Sequence, residues 1–87
     1  MASTMARGRK PFGVVLGERV RARRVQLNLM QETVARAAGM TVPRLSDLER
    51  GLNSRGPSPE TLTKLAAALQ WDVGQLVGAS EPDPSHV

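Results

Sequence analysis

From residue 12 to residue 77 the apolar positions recur every three or four residues, the period of helices, and no stretch alternates as a half-buried strand does. The spacing predicts a first helix over about Phe12 to Leu27, with Leu16, Val20 and Leu27 on one face and Glu18, Arg19, Arg21 and Arg23 largely elsewhere. Asn28 suits the left-handed residue that ends it. A short second helix, Gln31 to Ala38, buries Val34 and Ala38 and stops at Gly39. Thr41 caps a third, Val42 to Arg50, whose Leu45 and Leu48 point inward and which Gly51 ends. Pro43 falls in its first turn, where no preceding carbonyl is there to clash with the ring.

The fourth start has Ser58 as N-cap, Pro59 at the first helical position and Glu60 in the first turn. Leu62, Leu65, Ala66 and Leu69 form its buried stripe. After Trp71, the run Asp72-Val73-Gly74-Gln75 fits a capping box that opens a fifth helix through Val77, with Trp71 placed to staple onto Leu76. The expectation is an all-α, five-helix domain over residues 12–78. Residues 1–11 read as a disordered basic arm and residues 79–87, with two prolines and two acids, as a disordered acidic tail.

Length and composition narrow the picture. At 87 residues there is room for one core, and a chain this short buries only about 60% of its unfolded surface, so pairing with a second copy would help it. The sequence has no cysteine, and its single histidine is His86, which leaves no residues for a thiolate metal site or histidine-based acid/base work. Ser46, Asp47 and Glu49 do not make a catalytic site, since the serine has no adjacent base; the chain does not read as an enzyme, and no cofactor is implied. No stretch approaches the ~20 apolar residues of a membrane span, and the basic opening leads into no apolar signal core, so a cytoplasmic protein is expected.

Charge is unevenly placed. All twelve Lys and Arg lie between Arg7 and Lys64, so the first 71 residues carry +7 and the remaining sixteen −3. A basic body with an acidic tail suits a polyanionic partner, most often nucleic acid, although a solvated Arg-rich surface would look the same. The turn Ala38-Gly39-Met40-Thr41 between two short helices makes a helix-turn-helix, in which the first helix crosses a phosphate backbone and the second enters the major groove.

The stretches LGERVRARRVQLNLMQETVARAAGM, LSDLERG and PSPETLTKLAAALQWDVGQLV, from about Leu16 to Val77, resemble the Cro/C1-type (xenobiotic response element type) DNA-binding domains, which include the lambdoid phage repressors. The resemblance implies roles. Gln31, at the start of helix 2, would bond a phosphate, and Arg50 and Arg55 would reach the backbone at the other end. Thr41, Val42, Pro43, Arg44 and Asp47 would face the bases. Arg24 would pair with Glu49, an assignment that physical reasoning supports, because half of a buried ion pair left alone costs about 3 to 5 kcal/mol.

The chain departs from the family in two places. Met30 stands where Ser, Thr or Asn is usual, so helix 2 lacks a capping side chain. The loop GLNSRGPSP is about two residues longer than the common spacing, which bears on phosphate contacts by Asn53, Ser54 and Arg55.

The base-facing set also lacks the Gln and Asn that read adenine bidentately. Arg44 alone could grip guanine O6 and N7; Val42 and Pro43 offer apolar contact; Asp47 could accept from cytosine N4 or restrain Arg44 or Arg50. Arg7-Gly8-Arg9-Lys10 could follow a groove as an arm or simply be a solubilising tail.

These readings give a sequence-specific double-stranded DNA-binding transcriptional regulator, a repressor or controller, acting as a homodimer through Trp71, Val73 and Val77. The alternative is an antitoxin-like adaptor that binds a protein partner through its tail and DNA secondarily.

Overall fold

The computed structural model describes residues 10–53 and 56–78. The basic arm before Lys10, the acidic tail after Gly78, and Ser54 and Arg55 lie outside the described residues. Five helices follow in order: α1 Phe12–Gln26, α2 Gln31–Ala37, α3 Val42–Glu49, α4 Pro59–Ala68 and α5 Val73–Val77. Among the described residues there is no strand. The all-helical fold class expected from the apolar period holds.

Three of the five starts, those of α3, α4 and α5, have a side-chain cap that the sequence supplies. Thr41 Oγ1 accepts from Arg44 N at 3.3 Å, and Ser58 Oγ from Thr61 N at 3.3 Å. At α5 the capping box is complete: Gln75 N donates to Asp72 Oδ1 at 2.7 Å and Asp72 N donates to Gln75 Oε1 at 3.0 Å. Met30, as N-cap of α2, gives no side-chain hydrogen bond. The stops are left-handed residues just beyond the helices, Asn28 at φ 58° after α1 and Gly39 at φ 70° after α2. Gln70 at φ 59° plays the same part after α4, a strained choice that the sequence did not announce.

The core is Leu16, Val20, Val34, Ala35, Ala38, Leu45, Leu65, Ala66, Leu69 and Leu76. α1 lies across α3 and α5, α2 packs on α3 and α4, and α4 packs against α5. Leu27 is a correction: it is the C-cap of α1 and only half-buried, because the helix stops at Gln26 before a third apolar turn forms. Leu48 and Leu62 are likewise half-buried and pack on the edge of the core.

The face that α1 buries is Gly13, Leu16, Gly17 and Val20, at helical spacing, and half of it is glycine. At Gly17 the reason is the crossing with α3. A Cβ built on Gly17 would lie 2.1 Å from the Leu48 carbonyl oxygen and 3.0 Å from that of Glu49, so the two backbones meet with nothing between them. This crossing sets where the end of α3 sits.

Gly17→Ala must therefore push α3 off α1. We expect it to destabilise the fold by about 1 to 3 kcal/mol or more, read as a lower urea midpoint, whereas the same change at an ordinary helical glycine would be stabilising.

Candidate nucleic-acid interface

α2 and α3, joined by Ala38 to Thr41, form the helix-turn-helix, and one ion pair holds it to α1. Arg24 Nε donates to Glu49 Oε2 at 2.7 Å and Arg24 Nη2 to Glu49 Oε1 at 3.1 Å, a bidentate fork. The Glu49 side chain is only 2% exposed and that of Arg24 14%. Two further bonds complete it: Arg24 Nη1 to the Leu29 carbonyl at 2.9 Å, and Gln31 Nε2 to Glu49 Oε1 at 3.0 Å. The end of α1, the start of α2 and the end of α3 are thereby tied at one point.

Gln31 is half-buried, and one of its two amide hydrogens is spent on Glu49. The other hydrogen and the side-chain oxygen are uncommitted among the described residues.

α3 divides along its length. Leu45 and Glu49 are buried, while Thr41, Val42, Pro43, Arg44 and Asp47 are all exposed on the other side. The cap bond from Arg44 N to Thr41 and the proline ring fix the leading turn. Asp47 accepts from Arg50 Nη2 at 2.8 Å, so in the free protein it restrains Arg50 rather than Arg44. The Arg44 guanidinium has no hydrogen bond or ion pair with any described residue. In the loop after α3, Asn53 and Gly56 close a turn, with Gly56 N donating to Asn53 O at 3.1 Å and Asn53 Nδ2 to Gly56 O at 3.2 Å.

Two arginines that sequence periodicity assigned to the outer face of α1 are instead built into the fold. Arg19 and Arg23 lie 5.3 and 5.0 Å from the Trp71 ring centroid, within cation–π range. Arg23 Nε donates to Leu69 O at 3.0 Å, and Arg19 Nε to Leu76 O at 2.9 Å, so they cap the ends of α4 and α5. Trp71 is half-buried beneath them, Val77 is half-buried and Val73 exposed. The signal available in the sequence was the four-residue spacing of Arg19 and Arg23 beside the Leu16–Val20 stripe; what they reach lies 46 to 57 residues away.

Among the described residues no group of His, Cys, Asp and Glu could hold a metal, and no helix is long and apolar enough to cross a membrane. A compact helical body that presents a helix-turn-helix with an exposed, capped second helix and a basic surface defines a DNA-binding domain of the helix-turn-helix class. The comparisons with known proteins agree. A helix-turn-helix family model matches residues 20–74.

The HTH-type transcriptional regulator DdrOP3 of Deinococcus deserti is 42% identical over 66 residues, which are 76% of this chain and 50% of that protein. The chain thus spans about half the length of that relative. The restriction-modification controller protein C.AhdI from Aeromonas hydrophila superposes with a TM-score of 0.67 at 34% identity, over 74% of this chain and 94% of its own. The clp gene regulator ClgR from C. glutamicum gives a TM-score of 0.69 at 26% identity, over 82% of this chain and 94% of its own. The chain belongs to the Cro/C1-type helix-turn-helix family of transcriptional regulators, a family of DNA-binding proteins rather than enzymes.

Arg24→Ala strands the Glu49 carboxylate in the interior and should cost about 3 to 5 kcal/mol in unfolding free energy. Replacing both partners together, Arg24→Met with Glu49→Leu, should recover most of that loss. A double variant no more stable than the single one would show that the pair contributes more than its burial costs.

Proposed function

We propose that the protein is a sequence-specific regulator of transcription, a repressor or controller, that binds double-stranded DNA as a homodimer with α3 in the major groove. The observation that carries this reading is the division of α3. Leu45 and Glu49 anchor it from behind, while five consecutive or near-consecutive positions, Thr41 to Arg44 and Asp47, are exposed with their backbone already fixed.

In this reading Arg44 is the principal base reader. It is exposed and unpaired among the described residues, and its fork suits guanine O6 and N7, a contact that contributes about 1 to 3 kcal/mol of discrimination. Val42, 37% exposed, and Pro43 beside it would meet thymine methyls. Gln31 would donate its free amide hydrogen to a phosphate, oriented by the bond it gives Glu49. Arg50 and the loop carrying Asn53, Ser54 and Arg55 would reach the backbone at the far end of α3. Asp47, already paired with Arg50, would serve to aim it.

One recognition helix of eight residues reads too few bases for an operator, so a two-fold dimer with half-sites about 34 to 36 Å apart is required. α5 is the dimer surface in this reading. Val73, 36% exposed at its start, is the apolar centre, Val77 lies a turn further along, and Trp71 sits at the edge beneath Arg19 and Arg23.

Selection of bound duplexes from a random pool tests the assignment of roles. Arg44→Ala should relax preference at one base pair per half-site, whereas Gln31→Ala should weaken all duplexes alike and leave the preference intact. The reverse pattern would overturn it. For the dimer, Val73→Asp should shift the sedimentation of the protein towards monomer and weaken a two-half-site duplex far more than a single half-site.

A further inference from the structure

The exposed face of the helix-turn-helix does not end at α3. A cleft of about 560 Å³ runs from Arg44 past the α2–α3 turn to α4, with Arg36, Thr41, Thr61, Lys64 and Glu60 among its walls. The turn itself lets the cations gather. Gly39 has no side chain, and Lys64 Nζ lies 3.8 Å from where its Cβ would stand, so the ammonium rests against the turn.

The chemistry of these walls is one-sided. Three cations face a single carboxylate. Lys64 Nζ lies 3.7 Å from Glu60 and Arg36 Nη2 3.1 Å from Glu32, but both are exposed pairs one helical turn apart, too weak to hold the cations back. Thr41 Oγ1 accepts from Arg44 N and Thr61 Oγ1 accepts from Ser58 Oγ at 3.1 Å, so each hydroxyl keeps its own hydrogen to donate outward. A ligand rich in acceptors, carrying negative charge and having no donors satisfies such a set. A phosphodiester has that description.

We propose that this cleft seats a phosphate of the DNA backbone flanking the groove that α3 enters, with Lys64 and Arg36 as its cationic walls. The inference rests on the reading of α3 given above, because Arg44 belongs both to the exposed face of α3 and to the cleft. An anion held between Thr41 and Lys64 therefore lies beside the base reader, where the strand bordering the groove must pass. It extends the backbone footprint from α2 and the loop after α3 to α4.

The test is a salt titration of binding to a selected duplex and to a random one, comparing the full chain with its Arg36→Ala/Lys64→Ala variant. Both side chains are more than half exposed, at 80% and 52%, so the thermal melt should not move. The slope of log K against log salt should flatten by about one, since each phosphate neutralised contributes about 0.9. Affinity at physiological salt should fall on the order of fivefold per cation removed, equally for both duplexes, and Lys64→Arg should keep the wild-type slope. An unchanged slope, or a loss confined to the selected duplex, overturns the phosphate seat while leaving the reading of α3 standing. A wild-type chain with no affinity for any duplex removes both.

Discussion

The bidentate contact between Arg24 and Glu49 is the constraint on which the arrangement depends. A carboxylate 2% exposed survives only if its lone pairs are met, and here three donors from α1 and α2 meet them. The hydrophobic core would hold helices together in many relative rotations, because apolar contact has little directional preference. The fork does not, and it fixes three helix ends at once. Gly17 reinforces it from the other side, since the backbone of α1 touches the carbonyls of Leu48 and Glu49 directly. The last turn of α3 is thus held both by charge and by close approach, while its first turn projects free.

A different device ties α1 to the ends of α4 and α5. Arg19 and Arg23 bond the final carbonyls of α4 and α5 and lie against Trp71 between them. With Arg24, three of the twelve basic residues are consequently structural, and α2, α3 and α4 present one basic side chain each, Arg36, Arg44 and Lys64, beside acidic neighbours. The uneven charge of the chain is real, but its strongest cluster in sequence, in α1, is partly turned inward.

Much of this was legible in the sequence because it is local. The caps at Thr41, Ser58 and Asp72 depend on residues three positions apart, and the stop at Asn28 on a single residue's tolerance for positive φ. The stripes Val34–Ala38 and Leu65–Leu69 follow from the helical period. The arginine clamp was not legible, because a long side chain on the border of an apolar stripe can face either way and its partners are distant in sequence. The burial of Gly17 was missed for another reason: glycine adds nothing to an apolar pattern, and its presence at a crossing is visible only once the crossing helix is in place. Within the candidate interface the turn, the cap and the anchoring leucines were readable. The bond from Gln31 to Glu49 and the cleft leading to Lys64 were not, since both join elements that periodicity treats separately.

The stiff leading edge of α3 also has a thermodynamic consequence. Thr41, Val42 and Pro43 have little conformational freedom left to lose: one hydroxyl is fixed by its cap bond, one side chain is β-branched and one is a ring. Arg44, by contrast, is exposed and loses up to about 2 kcal/mol of rotamer entropy when it is immobilised. In the proposed complex nearly all the ordering cost at the bases therefore falls on one side chain. Discrimination would then be governed less by the number of contacts than by whether a given duplex offers that guanidinium a bidentate acceptor good enough to offset its loss of motion.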